Sequence, residues 1–458
     1  MTKTILTFIL NLSVLTITTA FASPRANVID NEAVLDFPES ATFRATITSD
    51  SEIQSIVLEY GNEGQTCGEV IAKAFPQFTP AKTVNIEWTW EMRQSGSLPP
   101  GATLWWRWRV TDVNSNETVS ETKTVTWLDD IHEWQYISHG DFLRLHWYAG
   151  DQTFASDLAK AAYSGLQFNE TNSGLKAKSP IDIYIYADTN DLKDAVLYEP
   201  SWTGGQAFPN QNIVILGTSQ RDLEWGRDAI VHELTHVLVG HLTFSCLGDV
   251  PTWLNEGLAV YSEGELDSSS QRYLDDAIQT DTLLTVRSLS AGFSEVSDKA
   301  RLSYSQSYSI TKFLIEGYGQ EKMTSLLVGM RDGLAIDEAL TQTYGFNIDG
   351  LEDAWRQAIG AQPRPISAQP TAQPTPTWVP TIALISVLPL AAQTTPTAIP
   401  TSTLGEQPTS EAPVRTAPPL WLTLVLLGAC CAMLLPVGVL VIGFIARNQN
   451  RRGGDDVQ

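Results

Sequence analysis

Short runs of alternating apolar and polar residues occupy the N-terminal part of the chain. The clearest run is 104–110, where Trp106, Trp108 and Val110 fall on one face and the two intervening arginines on the other. Alternation with a period of two is typical of half-buried β-strands. Similar β-rich runs, bounded by polar or Pro/Gly-rich turns, lie at 41–48, 53–60, 84–90 and 119–127. We therefore predict an all-β sandwich over residues 24–128.

The pattern changes in the middle of the chain, where apolar residues recur three and four positions apart. This period is typical of amphipathic helices, and it is interrupted by two short apolar runs that predict strands. In chain order we predict a helix at 151–168, strands at 181–186 and 212–216, a second helix at 223–241 and a helical region at 320–360. Mixed elements in this order are expected of an α+β domain, which we place at residues 130–360.

Both ends of the chain are apolar. Residues 1–22 combine a lysine, an apolar run and Ala20-Phe21-Ala22, which is typical of a secretory signal peptide; an uncleaved membrane anchor is the alternative. The almost uncharged segment 420–446 is long enough to cross a bilayer as one helix. Arginines open the short tail 447–458 and favour a cytoplasmic C-terminus. The sequence thus predicts a single-pass cell-membrane protein with extracellular domains.

Residues 361–418, ahead of the predicted span, are rich in Pro, Thr, Gln, Ala and Ser. Because such a composition cannot bury a core, we predict a disordered stalk that separates the folded part from the membrane. The segment 378–392 within it is apolar but broken by two prolines. We interpret it as an apolar piece of the stalk.

The charge of the chain bears on its binding partners, and its cysteines bear on the cellular compartment. A formal net charge of −23 argues against a nucleic-acid partner, which would need a basic surface. Cys430 and Cys431 fall in the predicted membrane helix. Cys67 and Cys246 either form a disulfide, which an oxidising compartment permits, or remain two separate thiols.

The strongest chemical signal is the stretch His232-Glu233-Leu234-Thr235-His236, in a chain with only 6 histidines. On a helix, residues four apart lie on one face, so His232 and His236 can both point an imidazole at one metal ion. Glu233 is placed to act as general base on a water at that metal. The stretch therefore indicates a zinc peptidase.

A catalytic zinc ion takes three protein ligands and a water, so one ligand is missing from this stretch. His241 is a poor candidate, because the metzincin pattern requires a glycine and a third histidine where this chain has Val239 and Leu242. Glu256 is the better candidate. It lies on a predicted second helix, with 19 residues between it and His236.

The stretch HELTH followed by WLNEGLAVY resembles the gluzincins, most closely the peptidase MA-like domains related to aminopeptidase N and thermolysin. The resemblance implies a thermolysin-like catalytic fold and one zinc ion per chain, held by His232, His236 and Glu256. The aminopeptidase branch usually has one residue fewer before the glutamate, a difference that a loop can absorb. By the same resemblance Tyr304, on a predicted helix, donates to the substrate oxyanion, with Tyr308 as the alternative.

The resemblance also points to a substrate-binding segment ahead of the zinc-binding helix. In related enzymes an edge strand there pairs with the substrate backbone, and Gly205, Gln206 and Ala207 take that place here. The G-A-M-E-N type motif of aminopeptidases, whose glutamate grips a free amino terminus, is absent. Endopeptidase and exopeptidase activity therefore both stay open.

The remaining histidines and two carboxylates near the predicted ligands have other expected roles. His132, His139 and His146 lack ligand spacing, so we expect structural or surface roles for them. His241 stays a candidate for supporting the metal ligands. Two carboxylates, Asp249 and Glu263, are candidates for fixing the tautomers of the zinc-binding imidazoles.

The tryptophans of the predicted β module allow two interpretations. They form either a platform for a cell-surface ligand, or core on one face and an interdomain contact on the other. The segment 99–103 before a Trp-Arg-Val strand is loosely similar to fibronectin type III modules.

These observations predict a membrane-anchored extracellular zinc metallopeptidase of bacterial type, acting on peptides or proteins. The alternatives are a catalytically inactive surface-binding protein that keeps the fold, and an adhesin in which the β module is the main functional part.

Overall fold

The computed structural model describes residues 26–95, 98–197, 204–294 and 296–364. Within these ranges, no helix is both long and apolar enough to span a bilayer. The predicted signal peptide, the cysteines at 430 and 431, the apolar segment 378–392, most of the stalk, the span at 420–446 and the tail lie outside the described residues.

The N-terminal region consists of two antiparallel sheets. The strands are β1 (Asn27–Asp36), β2 (Ser40–Thr48), β3 (Ile53–Asn62), β4 (Ala72–Ala74), β5 (Thr83–Glu91), β6 (Ala102–Asp112), β7 (Glu117–Val119) and β8 (Lys123–Trp127), with a short helix α1 (Met92–Ser95) after β5. One sheet has the order β1-β2-β5 and the other β4-β3-β6-β7, with β8 also paired to β6. We call residues 26–127 the β-sheet region.

The inner faces of these two sheets share one core. The alternation predicted for β6 is confirmed, since Trp106, Trp108 and Val110 are buried, and Phe43 of the opposite sheet packs on Trp106 with ring centroids 5.3 Å apart. The predicted single strand 119–127 is wrong. The Ser120 hydroxyl accepts a hydrogen bond from the Trp108 amide at 2.9 Å, so a side chain replaces a backbone acceptor there and the strand is split into β7 and β8.

The following region is built on a mixed sheet with the order β12-β13-β11-β10-β9. Its strands are β9 (Gln135–His139), β10 (Leu143–Trp147), β11 (Ile181–Tyr186), β12 (Gly205–Phe208) and β13 (Ile213–Gly217). Strands β10, β11 and β13 are parallel, whereas β9 and β12 pair antiparallel at the two edges. The second predicted strand begins one residue later than expected, because Asn212 is left-handed with φ 59°.

The helices of this region are α2 (Gln152–Asn172), α3 (Thr189–Ala195), α4 (Leu223–Thr243), α5 (Thr252–Glu263), α6 (Ser268–Gln279), α7 (Ser297–Tyr318), α8 (Gln320–Arg331), α9 (Ile336–Tyr344) and α10 (Ile348–Ala358). Most of them cover one face of the sheet or continue beyond it, whereas Leu192 and Ala195 of α3 belong to the core on the opposite face. The predicted helices are confirmed with shifted ends. For example, Asp151 caps α2 by accepting from the Phe154 amide at 2.8 Å, which fixes where that helix starts.

The β-sheet region packs against the other face of the mixed sheet. Along β11, Ile183 and Ile185 belong to the core under the helices, whereas Tyr184 and Tyr186 join the core of the β-sheet region. A disulfide between Cys67 and Cys246, with Cα atoms 5.5 Å apart, links the two regions as well. Of the two alternatives for these cysteines, the structure therefore shows the bonded pair.

Candidate metal and active site

Helices α4 and α5 bring the three predicted metal ligands together. His232 and His236 lie one turn apart on α4, and Glu256 comes from α5. Glu256 Oε2 is 3.4 Å from His232 Nε2 and 3.6 Å from His236 Nε2. Their candidate ligand atoms all lie within 4.8 Å of one another. The long spacing along the chain is thus closed by the packing of α5 on α4.

The three side chains fit a zinc ion. Glu256 Oε2 is buried and makes no hydrogen bond to any described residue, which is costly for a carboxylate unless a cation takes its lone pairs. A tetrahedral zinc ion with bonds of about 2.1 Å has ligands about 3.4 Å apart. The observed separations of 3.4 and 3.6 Å agree with that geometry, and three ligands leave one position for water or substrate.

The outer nitrogens of both imidazoles are held by oxygen acceptors. His232 Nδ1 lies 2.5 Å from Glu263 Oε1, and His236 Nδ1 lies 3.1 Å from Asn255 Oδ1. Each contact places the ring proton on Nδ1 and leaves Nε2 free to bind a metal. Glu263 was one of the two predicted partners. The other, Asp249, is exposed in the loop between α4 and α5.

Asn255 was missed by the sequence reasoning. It stands directly before Glu256, and this adjacency was the only signal available. Glu263 had a stronger signal, since it follows Glu256 by seven residues and therefore lies on the same face of α5, two turns along.

Negative charge dominates around the His232 ring. Burial lowers the pKa of His232, but the carboxylates that face its two ring nitrogens, Glu256 at 3.4 Å and Glu263 at 2.5 Å, outweigh burial and raise the pKa to about 10. For Glu256, burial raises the pKa, yet the two histidines bring it below its ordinary value. The carboxylates thus favour a positive charge at this point of the molecule.

Glu233 lies between the histidines and the edge strand β12. A Cβ atom on Gly205 would come within 3.1 Å of Glu233 Oε1, so the glycine leaves room for the carboxylate beside the strand. Burial is the main cause of a raised pKa at Glu233, only partly offset by His236 and His232. Such a carboxylate is a better proton acceptor than an exposed one.

The predicted substrate-binding residues occupy this strand. Gly205, Gln206 and Ala207 form most of β12, which lies at the edge of the mixed sheet and pairs only with β13 among the described strands. Gln206 Oε1 is buried without a hydrogen-bond partner among the described residues. An edge strand of this kind can accept an extended peptide as a further strand.

Tyr304 faces the same site from α7. Its ring centroid is 6.3 Å from that of His232, and Phe293 packs edge-on against it at 5.1 Å. Burial, assisted by the nearby carboxylates, raises its pKa well above the ordinary value, so the phenol remains a proton donor. Tyr308 is turned elsewhere, because its hydroxyl donates to Glu265 Oε2 at 2.9 Å.

Gly257 permits the close approach of α7. A Cβ atom at this position would lie 2.5 Å from the Ser307 carbonyl oxygen and 2.2 Å from Thr311 Oγ1. Any side chain would therefore push α7, and Tyr304 with it, away from the helix that carries Glu256.

His232, Glu233, Gly205 and Tyr304 line an open cleft of about 950 Å³. Its described lining includes seven carboxylates and two arginines, together with His232, Gly205 and Tyr304. The cleft is thus acidic and large enough for several residues of a peptide.

The other histidines take structural roles. The buried His241 ring hydrogen-bonds to Asn212 and accepts from the Lys178 amide at 3.2 Å, so it does not support the metal ligands. His132 pairs with Asp129, His146 pairs with Asp182, and the His139 ring packs on Tyr163. The structural interpretation of these three residues is therefore confirmed.

Comparison with known proteins finds a family model that covers the site. Residues 161–361 match the family model of the Peptidase MA superfamily. No match is found among the curated proteins.

Several solved structures are similar at low identity. Aminopeptidase A of Legionella pneumophila is 12% identical, with 72% of this chain and 50% of that one covered and a TM-score of 0.32. An aminopeptidase N family protein of Idiomarina loihiensis is 9% identical, with 73% and 70% covered and a TM-score of 0.26. The catalytically inactive OgpA of Akkermansia muciniphila, crystallised with an O-glycopeptide substrate, is 9% identical, with 23% and 29% covered and a TM-score of 0.19.

The chain spans half or less of the length of the aminopeptidase A and OgpA structures. Because these TM-scores are low, the assignment rests on the family model, which covers α4, α5 and α7 with the residues they bring together. Residues 161–361 thus form a region that matches the Peptidase MA superfamily.

Proposed function

We propose that this protein is a zinc metallopeptidase that hydrolyses peptide bonds with Glu233 as general base. One observation carries the proposal. Glu256 Oε2 is buried without a hydrogen-bond partner among the described residues, beside two imidazoles whose outer nitrogens are already held by Glu263 and Asn255. A divalent cation satisfies all three inner atoms at once.

Each residue of the site then has a defined part. When bound, zinc would acidify a water molecule and polarise the substrate carbonyl. Glu233 accepts the proton of the attacking water and returns it to the leaving amine. Tyr304 donates a hydrogen bond to the carbonyl oxygen as negative charge develops on it. Strand β12 holds the substrate backbone extended across the cleft.

The setting that we propose is the outer face of a bacterial cell membrane. The apolar segments at 1–22 and 420–446 support export and a single membrane-spanning helix. The Cys67–Cys246 disulfide supports an oxidising compartment. We propose peptides or proteins as substrates, no nucleic-acid partner, and a cell-surface ligand for the β-sheet region, whose fibronectin type III-like character is part of the proposal.

Metal analysis of the purified protein tests the proposal. We expect about one zinc ion per chain in the wild type and its loss in Glu256→Ala. Glu265→Ala is the matched control, because Glu265 also lines the cleft but its side chain is 81% exposed and paired with Lys312. That variant should retain zinc.

Two results would contradict the proposal. Absence of zinc from the wild type would leave the inactive surface-binding protein as the better description. Equal zinc content in Glu256→Ala and the wild type would mean that the metal binds elsewhere.

A further inference from the structure

A buried chain of hydrogen bonds lies behind the metal-binding face of α4. Thr235 is fully buried, and its hydroxyl donates to the Val231 carbonyl at 2.8 Å. The same oxygen accepts from Asn169 Nδ2 at 2.9 Å and lies 2.5 Å from Ser262 Oγ. The Ser262 hydroxyl also lies 2.7 Å from the Ala259 carbonyl. Because Thr235 gives its own proton to Val231, Ser262 closes the interhelical bond by donating its single proton to Thr235 in place of Ala259.

These bonds join three helices at the level of the metal ligands. Asn169 belongs to α2, Thr235 to α4 and Ser262 to α5. Thr235 immediately precedes His236, and Ser262 immediately precedes Glu263, which holds the His232 ring. The Thr235–Ser262 bond therefore fixes the backbone separation of the two helices beside the residues that supply and orient the ligands.

Stability alone does not account for this arrangement. Asn169 is fully buried, and its Oδ1 makes no hydrogen bond to any described residue. A buried polar atom without a partner costs free energy, and an apolar side chain of similar size avoids that cost. The advantage of the polar chain is then geometric, because hydrogen bonds have preferred lengths and directions whereas apolar contacts do not.

We propose that Thr235 is a positioning residue for the metal site. Its hydroxyl sets the separation of α4 and α5, and so the distances from Glu256 to His232 and His236. The inference rests on the proposed zinc site. It adds the residue that keeps the ligands on α4 at the right distance from the ligand on α5.

The test compares Thr235→Val, Thr235→Ser and Thr243→Val in the full chain. Valine keeps the shape of threonine and removes the hydroxyl, whereas serine keeps the hydroxyl. Thr243 is the matched control, since it is a buried threonine on the same helix whose hydroxyl also bonds the carbonyl four residues back, at 2.7 Å.

Two readouts are measured: zinc affinity by chelator competition, and the absorption spectrum of the cobalt-substituted protein. We expect Thr235→Val to weaken zinc binding by about 10- to 100-fold, as loss of groups that orient metal ligands does, and to alter the cobalt spectrum. Thr235→Ser should restore both readouts toward wild type. Thr243→Val should leave both unchanged, even where its melting temperature falls.

The inference is overturned if Thr235→Val and Thr243→Val lower the melting temperature alike while zinc affinity and the cobalt spectrum stay at wild-type values. If Thr235→Val does not fold, Ser262→Ala removes the same interhelical bond from α5 and must weaken zinc binding for the inference to stand. A wild type without zinc overturns the proposed function as well, and it differs from failure of the inference alone because every variant is then equally metal-free.

Discussion

Glu59 in the β-sheet region is a buried carboxylate and Glu256 in the region 161–361 has one buried carboxylate oxygen, yet their surroundings differ. Glu59, 1% exposed, accepts from Arg107 Nε at 2.7 Å and from Arg109 Nε at 2.9 Å. Glu256 Oε2 faces two imidazoles at 3.4 and 3.6 Å and has no hydrogen-bond partner among the described residues. Two arginines hydrogen-bond the carboxylate in the first case, whereas no described residue donates to the buried oxygen in the second.

The comparison teaches which property separates a structural carboxylate from a functional one. The pKa does not, because that of Glu59 is lowered to about 2, chiefly by its hydrogen bond to Arg109, and that of Glu256 is lowered as well. Hydrogen-bond satisfaction does separate them, since buried polar atoms in folded proteins are almost always paired. An orphaned buried oxygen beside two oriented imidazoles therefore indicates a cation site.

The largest expected effect is at Glu233, next to the unsatisfied group. Glu233→Gln keeps the shape of the side chain and removes the base, so we expect kcat/KM on a peptide substrate to fall by about 10²- to 10⁴-fold. Zinc content should stay at the wild-type level, because Glu233 is not a ligand. Retained turnover in this variant would rule out Glu233 as the base, and Glu59→Gln should leave turnover unchanged.

The next largest effect on catalysis is expected for Tyr304→Phe. Loss of one donor to the developing oxyanion should lower kcat by about 10²- to 10³-fold with little change in KM. Tyr308→Phe is the control on the same helix, because that hydroxyl is engaged by Glu265. Equal losses in the two variants would indicate a general disturbance of α7 and not a role in catalysis.

Local sequence patterns predict much of the core of the β-sheet region and part of the metal site. The period of two placed Trp106 and Trp108 in the core, and the helical period placed His232 and His236 on one face. The spacing to Glu256 was informative only through resemblance to a known family, since 19 intervening residues fix no distance by themselves.

Contacts set by packing between elements could not be predicted. The pairing of Glu59 with two arginines depends on the register of β3 against β6. Likewise, the bonds from Asn255 to His236 and from Thr235 to Ser262 depend on how closely α5 approaches α4. No periodicity in the chain encodes these separations, and the same holds for the pairing of Cys67 with Cys246.

Alanine substitutions of Gly257 and Gly61 compare how a new side chain affects the region of the metal site and the β-sheet region. In Gly257→Ala the new Cβ atom would lie 2.5 Å from the Ser307 carbonyl oxygen, so α7 must move and carry Tyr304 with it. We expect a loss of about 1–3 kcal/mol in the free energy of unfolding and a fall in kcat. In Gly61→Ala the contact is with the Trp105 ring at 3.1 Å, and a smaller loss with unchanged kcat is expected.

Gly317→Ala controls for the change in helix propensity. Gly317 lies in α7 with no atom within 4 Å of the added Cβ, and alanine should raise stability by up to about 1 kcal/mol. The measurements are denaturant unfolding and kcat. A Gly257→Ala protein as stable and active as Gly317→Ala would show that the approach of α7 does not matter for the site.

The smallest effect on catalysis is expected for substitution of Glu59. The same substitution should lower stability in a pH-dependent way. The pKa of Glu59 lies near 2 in the folded protein against an ordinary value of 4.5, so the ionised form stabilises the fold above about pH 4.5 and this contribution is lost as the pH falls through 2. Glu59→Gln should cost about 1–2 kcal/mol at pH 7, allowing for solvent screening of the arginines.

Unfolding by denaturant at pH 7 and at pH 2.5 measures this contribution. The difference between wild type and Glu59→Gln should shrink at the lower pH, because the carboxylate of the unfolded chain is then protonated and that of the folded protein is beginning to be. Glu87→Gln is the control, since Glu87 pairs with Arg44 at 2.6 Å but is 57% exposed, and it should cost under about 1 kcal/mol at pH 7. A Glu59 contribution that stays the same at both pH values would mean that shape and not charge holds this carboxylate in place, and the contrast with Glu256 would then lose its electrostatic basis.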